Sequence, residues 1–342
     1  MKYALAIFVL ISAAILFVRF NTVQLASPLQ KSKRSVETRY MGICDGSAAI
    51  RLDNKTLLVA YDEVNTLFAF DISGGRPVAE KTISGLLGIS DVEIDIEAVA
   101  VSNNVVWWIG SHGRTKKGKE APNRRMLFAT NLPNRTLTDL KVVVAPVDVL
   151  GILATSKVTS AYFTQDVLKR SPKEGGVSIE GLAVSPDGQL IIGFRSPLTN
   201  AGGLSGNALI VRMDLAMGDF NMSVASAVEL NLNGRGIRDI VRHGNTYSIL
   251  AGAVSNGGTP AFYKWDGAGF LQNLPVDGIK KLNPEALVKL DDGWLIISDD
   301  GKQKRADNNA KDGNRTCDKI RKKNPQHALH ENVYFRGITL AD

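Results

Sequence analysis

Three glutamates recur in one setting. Residues 96–110 read Ile-Glu-Ala-Val-Ala-Val-Ser-Asn-Asn-Val-Val-Trp-Trp-Ile-Gly, residues 179–193 read Ile-Glu-Gly-Leu-Ala-Val-Ser-Pro-Asp-Gly-Gln-Leu-Ile-Ile-Gly, and residues 284–298 read Pro-Glu-Ala-Leu-Val-Lys-Leu-Asp-Asp-Gly-Trp-Leu-Ile-Ile-Ser. Each copy sets a Glu (Glu97, Glu180 or Glu285) before an apolar run, a polar turn and a second apolar run. An antiparallel hairpin brings the start of its first strand beside the end of its second. Glu97 therefore neighbours Ser111, His112 and Arg114. Glu180 neighbours Arg195, and Glu285 neighbours Asp299 and Asp300. A fourth, weaker copy at 236–252 begins with Arg238 and Asp239.

If these hairpins surround a common axis, their charged ends converge and three chemistries follow. Glu97, Glu180, Glu285, Asp299 and Asp300 could hold calcium or another divalent cation, which takes oxygen ligands. Such an ion could polarise a phosphate or carboxylic ester and activate water. Glu180, His112 and Arg195 would then be the catalytic set, with His112 in its Gly-Ser-His-Gly-Arg loop as general base. Alternatively, Arg114, Arg195, Arg238 and the lysines of the 114–125 loop, Lys116 among them, with Asp239 alongside, could clamp an anionic group by charge-assisted hydrogen bonds. The third reading is architectural: a Glu at a strand start binds neighbouring backbone N–H groups or an Arg from the next repeat.

The repeat itself dictates the scaffold. A weaker copy at 45–61 joins the others, and the turns contain Asp53-Asn54, Asn103-Asn104, Asp187-Gly188, Gly244-Asn245 and Asp292-Gly293. Asx and Gly residues tolerate the backbone of tight hairpin turns. Further strand-like runs follow each hairpin, at Thr66–Ile72, Arg125–Asn131, Asn207–Asp214, Pro260–Asp266 and Asn332–Leu340. Each unit offers three or four antiparallel strands, and radial repetition protects the sheet edges. The fold expected is all-β, a β-propeller of five to six blades over residues 40–342. The stretch 146–176 breaks the pattern and reads as a degenerate blade or an insertion. The last unit lacks a fourth strand, which Val36–Met41 could supply.

The net charge of +7 is concentrated. Residues 302–323 carry nine Lys or Arg against three Asp, and a second basic run spans Arg114 to Arg125. Such runs are solvated loops or attract an anionic partner, here an anionic small molecule or an envelope component. No zinc-finger, recognition-helix or aromatic–basic module accompanies them, which argues against nucleic acid. No Gly-X-Ser-X-Gly elbow occurs.

Lys2, the apolar run Tyr3–Val18 and Arg19 resemble an export signal. Residues 1–26 are thus expected to be a signal peptide or signal-anchor, and 27–39 a flexible tether. Contact with a membrane would come only through an uncleaved N-terminal segment, and the bulk of the chain would be periplasmic or secreted. Cys44 and Cys317 could pair if the compartment is oxidising, or remain two free thiols.

Gly110-Ser-His-Gly-Arg-Thr-Lys-Lys-Gly-Lys119, Asn123-Arg-Arg-Met-Leu-Phe128, Ile179-Glu-Gly-Leu-Ala183, Gly193-Phe-Arg-Ser-Pro197 and Gly236-Ile-Arg-Asp239 resemble the bacterial domain-of-unknown-function family thirty-six-sixteen over about residues 42–340. The Glu-Gly-Leu-Ala and Ser298–Gly301 elements are more weakly similar to phytase-like esterase propellers. The first likeness implies a secreted or periplasmic propeller-like domain, the second a phosphoesterase. The chain departs from the Glu-Gly pattern at Glu97-Ala98.

Overall fold

A computed structural model describes residues 36–61, 63–90, 92–200, 202–216, 221–255, 258–276, 278–307, 313–323 and 331–341. The N-terminal apolar run, the tether up to residue 35, His327 and His330 lie outside them. Among the described residues, no helix is long and apolar enough to cross a membrane.

β1 (Val36–Met41) is the first strand among the described residues, and its partner comes last. Blade 1 comprises β2 (Ala48–Arg51), β3 (Thr56–Ala60), β4 (Thr66–Asp71) and β5 (Ala79–Thr82). Blade 2 comprises β6 (Ile96–Ser102), β7 (Val105–Gly110), β8 (Leu127–Asn131) and β9 (Val142–Val147). Two short helices follow, α1 (Val149–Thr155) and α2 (Gln165–Lys169). Blade 3 comprises β10 (Ser178–Val184), β11 (Leu190–Ser196), β12 (Ala208–Ala216) and β13 (Asn221–Leu230). Blade 4 comprises β14 (Gly236–His243), β15 (Thr246–Gly252), β16 (Ala261–Trp265) and β17 (Leu271–Leu274). Blade 5 starts with β18 (Pro284–Leu290) and β19 (Gly293–Ser298). A small hairpin, β20 (Lys304–Ala306) with β21 (Asn314–Thr316), and α3 (Cys317–Lys323) then intervene before β22 (Tyr334–Ala341). β22 pairs β19 on one side and β1 on the other, so blade 5 is stitched from both ends of the sequence.

The propeller therefore has five blades, the lower number expected. The stretch 146–176 is an insertion, not a degenerate sixth blade. Val149, Leu150, Leu153, Phe163 and Val167 pack into the apolar layer between blades 2 and 3. Asp148 caps α1 by accepting the Leu150 N–H, and Thr164 caps α2. Similar apolar layers fill the junctions of blades 3–4, 1–2, 5–1 and 4–5. This continuous burial is what the alternating apolar runs provide. The inner strands β2, β6, β10, β14 and β18 each contact their neighbours around the ring.

The two faces differ. Hairpin turns of two to five residues close the inner strands on one face: 52–55, 103–104, 185–189, 244–245 and 291–292. On the other face lie the inner-strand starts and the segments 111–126, 148–177, 299–307 and 313–323. The run from Arg114 to Arg125 and the described part of the 302–323 run thus belong to the elaborated face. Cys44 and Cys317 form a disulfide there, with Cα atoms 5.8 Å apart, joining α3 to the segment leading into β2.

Candidate functional site

The inner strands are in register at their centres, with Ala49, Val99, Leu182, Ile240 and Leu287 at equivalent positions. Two residues earlier stand Ser47, Glu97, Glu180, Arg238 and Glu285. In four of the five blades the residue at this position drops out of the ladder. Pairing jumps from Ile96 to Ala98, from Ile179 to Gly181, from Ile237 to Asp239 and from Pro284 to Ala286. Glu97, Glu180, Arg238 and Glu285 are thus bulged residues. A bulge frees a side chain from the alternation of the strand and re-aims it. Here it delivers three carboxyls and one guanidinium to the same mouth of the channel. Blade 1 supplies Ser47, whose hydroxyl donates to the Ile96 carbonyl at 2.6 Å.

Arg238 is the hub. Its Nη1 donates to Glu285 Oε2 and lies 3.2 Å from Glu180 Oε2. Glu97 is close enough to reinforce its positive charge. Glu180 comes from blade 3 and Arg238 from blade 4, so the architectural pairing of a Glu with an Arg of the next repeat is present. Gly181 permits it: a Cβ there would fall 2.8 Å from Ile237 Cγ2 and 3.0 Å from Ile240 Cγ1. The Glu-Gly dipeptide is thus a close-approach device that seats β14 against β10.

Arg195 completes the cluster. Its Nη1 donates to Glu180 Oε1 at 2.9 Å and its Nε to the Ala253 carbonyl at 3.1 Å. Ser178 also donates to Glu180 Oε1. Glu180 is 2% exposed, and its Oε2 accepts no hydrogen bond among the described residues. Arg195 and Arg238 likewise leave Nη2 without one among those residues. Burial works to raise the Glu180 carboxyl, but Arg195 and Arg238 outweigh it and hold the group below its ordinary value. Glu285 goes the other way. Burial, helped by the negative charges of Glu180 and Asp299 and opposed by Arg238, pushes it up to about 8. Asn283 Nδ2 braces the edge, donating to Asp299 Oδ2 at 2.7 Å and to Glu285 Oε1 at 3.3 Å.

The other sequence candidates lie outside this cluster. Asp300 is buried beneath blade 5, accepting from Arg336 through both oxygens and from Arg305 at 2.9 Å. His112 is buried in a left-handed conformation with φ of 54°. Its Nδ1 lies 2.9 Å from the Gly110 carbonyl, and its Nε2 accepts the Val149 N–H at 3.4 Å. Nδ1 is committed to the end of β7 and Nε2 to the insertion, and burial pushes the imidazole down to about 4. This arrangement leaves no lone pair for general-base work. Arg114 is spent on the Leu168 and Gly118 carbonyls and on Glu120. Lys116 is exposed in the same loop. Asp239 is 6% exposed and accepts the Ile240 and Leu287 N–H groups, tying blade 4 to blade 5. Burial pushes its carboxyl up to about 7.

A divalent cation does not fit this donor set. The place between Glu180 and Glu285 is filled by the Arg238 guanidinium, and Asp300 is saturated by two arginines. Among the described residues, no group of three or more His, Cys, Asp or Glu is arranged to hold a metal. Of the residues named for the anion clamp, Arg195 and Arg238 stand together in this cluster, whereas Arg114 and Lys116 lie outside it.

The family model described as protein of unknown function (DUF3616) matches residues 46–160 and 148–294. A search of curated proteins finds no match. Among solved structures, the chain is similar to glutaminyl cyclase of Myxococcus xanthus, with 10% identity and a TM-score of 0.42 over 78% of this chain and 89% of that one. It is also similar to virginiamycin B lyase from Staphylococcus aureus, with 13% identity and a TM-score of 0.34 over 81% and 72%. A third is an exo-β-1,3-galactanase from Phanerochaete chrysosporium, with 9% identity and a TM-score of 0.47 over 90% and 64%. At such scores they carry no functional argument. None of these comparisons supports the weaker likeness to phytase-like esterases.

Proposed function

We propose, for a chain that belongs to the family of proteins of unknown function (DUF3616), that it is an exported propeller binding a small anionic molecule at the elaborated mouth of its channel. One observation carries this reading. Four successive bulges bring Glu97, Glu180, Arg238 and Glu285 together, leaving buried Glu180 Oε2 and two guanidinium Nη2 groups with unused hydrogen-bonding capacity. Buried polar atoms are normally satisfied, so an exception calls for an explanation, and a ligand at the mouth supplies one. Arg195 and Arg238 would grip a phosphate or carboxylate, while Glu180 accepts a hydroxyl of the same ligand. Exposed Lys116, Lys302 and Lys304 on this face would draw anions toward it. Export is supported by the Tyr3–Val18 run and by the Cys44–Cys317 disulfide, since disulfides persist in oxidising compartments.

The test is a thermal-shift and calorimetric panel of phosphate monoesters and hydroxycarboxylates. At least one should bind saturably, and Arg195→Lys, which keeps the charge but loses the fork, should weaken it about tenfold, the value of one charge-assisted bond. A panel without saturable binding, or equal binding by the variant, would remove the reading.

A second reading, ester hydrolysis, is favoured by Glu285. A group pushed up to about 8 is matched to acid–base work near neutral pH. As a carboxylate it would take a proton from the attacking water. Arg195 and Arg238 would stabilise the oxygen that gains negative charge, and the proton would pass to the departing alcohol. Turnover of nitrophenyl esters should then rise with pH through about 8 and vanish in Glu285→Gln while binding persists.

A further inference from the structure

The channel has a second end. Beneath the carboxyl–guanidinium ring lies a cavity of about 210 Å³ whose walls come entirely from the five inner strands. Its apolar lining includes Ala100, Ala183, Val241 and Val288. Each inner strand is the edge of its sheet with its free side toward the channel, and part of that side is engaged already, since Asp239 accepts the Ile240 and Leu287 N–H groups. At the basal exit the equivalent positions are Arg51, Val101, Val184, Arg242 and Lys289, all lining the cavity. The cations come from the consecutive blades 4, 5 and 1, and the valines from blades 2 and 3. One half of the exit is cationic and the other apolar.

The three cations are unequally engaged. Arg51 forms a two-pronged pair with Asp291 and also donates to Asn54. Lys289 lies 5.2 Å over the Trp294 ring. Arg242 spends Nη1 on the Gly244 carbonyl at 3.0 Å, leaving the rest of its fork without a hydrogen bond among the described residues.

We propose that this basal cavity binds a short-chain aliphatic carboxylate, its tail among the apolar walls and its head against Arg242. Size sets the class. An apolar cavity near 150 Å³ accommodates benzene, and drug-sized sites start at about 300 Å³. A chain of about six carbons therefore suits the space. The site is separate from the mouth: Ser47 to Arg51 spans roughly 13 Å at ~3.3 Å per residue.

Hexanoate is the probe, with hexan-1-ol and inorganic phosphate as controls. Calorimetry should show saturable binding of hexanoate, at least tenfold weaker binding of either control, and at least tenfold loss in Arg242→Gln. In the unmodified protein, hexanoate should shift the methyl resonances of Ala100 and Ala183, which keeps the test independent of how the variant folds. Absence of saturable binding, equal binding of hexan-1-ol, or unmoved alanine methyls would overturn the proposal. Glu180→Gln should leave hexanoate binding unchanged, so failure here and failure at the mouth remain distinguishable.

Discussion

Arg238 Nη1 lies 3.2 Å from Glu180 Oε2 across the junction of blades 4 and 3, while the same nitrogen donates to Glu285 of blade 5. One guanidinium thus couples three consecutive blades through carboxyl groups withdrawn from water. Removing one member of a buried pair leaves an uncompensated charge, typically costing about 3–5 kcal/mol. Arg238→Met should lose stability in that range, measured by urea unfolding. An unchanged midpoint would show that the ring carries no such coupling.

Gly181 should be nearly as intolerant. A methyl at this position meets Ile237 and Ile240 at or below 3.0 Å, so Gly181→Ala must push β14 away from β10. Overpacking of this kind costs about 1–3 kcal/mol. The displacement should also weaken ligand binding at the mouth, whereas Gly188→Ala, in an open turn, should cost stability without touching affinity.

Stability should fall as pH rises toward 8. Glu285, pushed up to about 8, and Asp239, pushed up to about 7, keep their protons in the folded chain where the unfolded chain has released them. The folded state then binds more protons, so these groups contribute most below their unfolded values and lose that contribution as pH climbs through the folded ones. Thermal unfolding followed from pH 5 to 9 should show a slope that flattens in Glu285→Gln.

His112 makes the opposite contribution. Burial pushes it down to about 4, so the unfolded chain takes up the proton first as pH drops below about 6.5. Its stabilisation is present above that value and lost as pH falls toward 4. Nitrogen NMR at pH 5.5 should find the imidazole neutral. A protonated ring there would contradict the two hydrogen bonds assigned to it.

Breaking the Cys44–Cys317 link should also destabilise the chain. The bridge spans a separation of 273 residues, and constraining so long a loop is worth about 2–5 kcal/mol. Cys44→Ser/Cys317→Ser should therefore melt at lower temperature, with mass spectrometry confirming the loss of the bridge.

The repeat was legible because hairpin patterning depends on side-chain alternation, which residue types record directly. Even Val36–Met41 as the closing strand could be read from what the last unit lacked. The bulges could not. Ladder slippage at Glu97, Glu180, Arg238 and Glu285 leaves no compositional trace beyond the repeat itself, so their common aim emerged only with coordinates. Asp300 illustrates the reverse error: adjacency to Asp299 suggested a shared rim, but Arg336 and Arg305 approach from distant sequence and draw it under blade 5. His112 misled similarly, because its partner Val149 belongs to an insertion whose packing no local motif announces.

Blade 5 has a consequence for assembly. Its β22 must find both β19 and β1, and β1 lies almost the whole described chain away. Contacts so remote in sequence form late, because a long loop must be closed before they contribute. During synthesis, blades 1 to 4 can take shape while β18 and β19 still lack their outer partners. Glu285 is among the last ring members to be fixed, so the anion binding proposed for the mouth should appear only after the final strand docks, making it a reporter of completed folding.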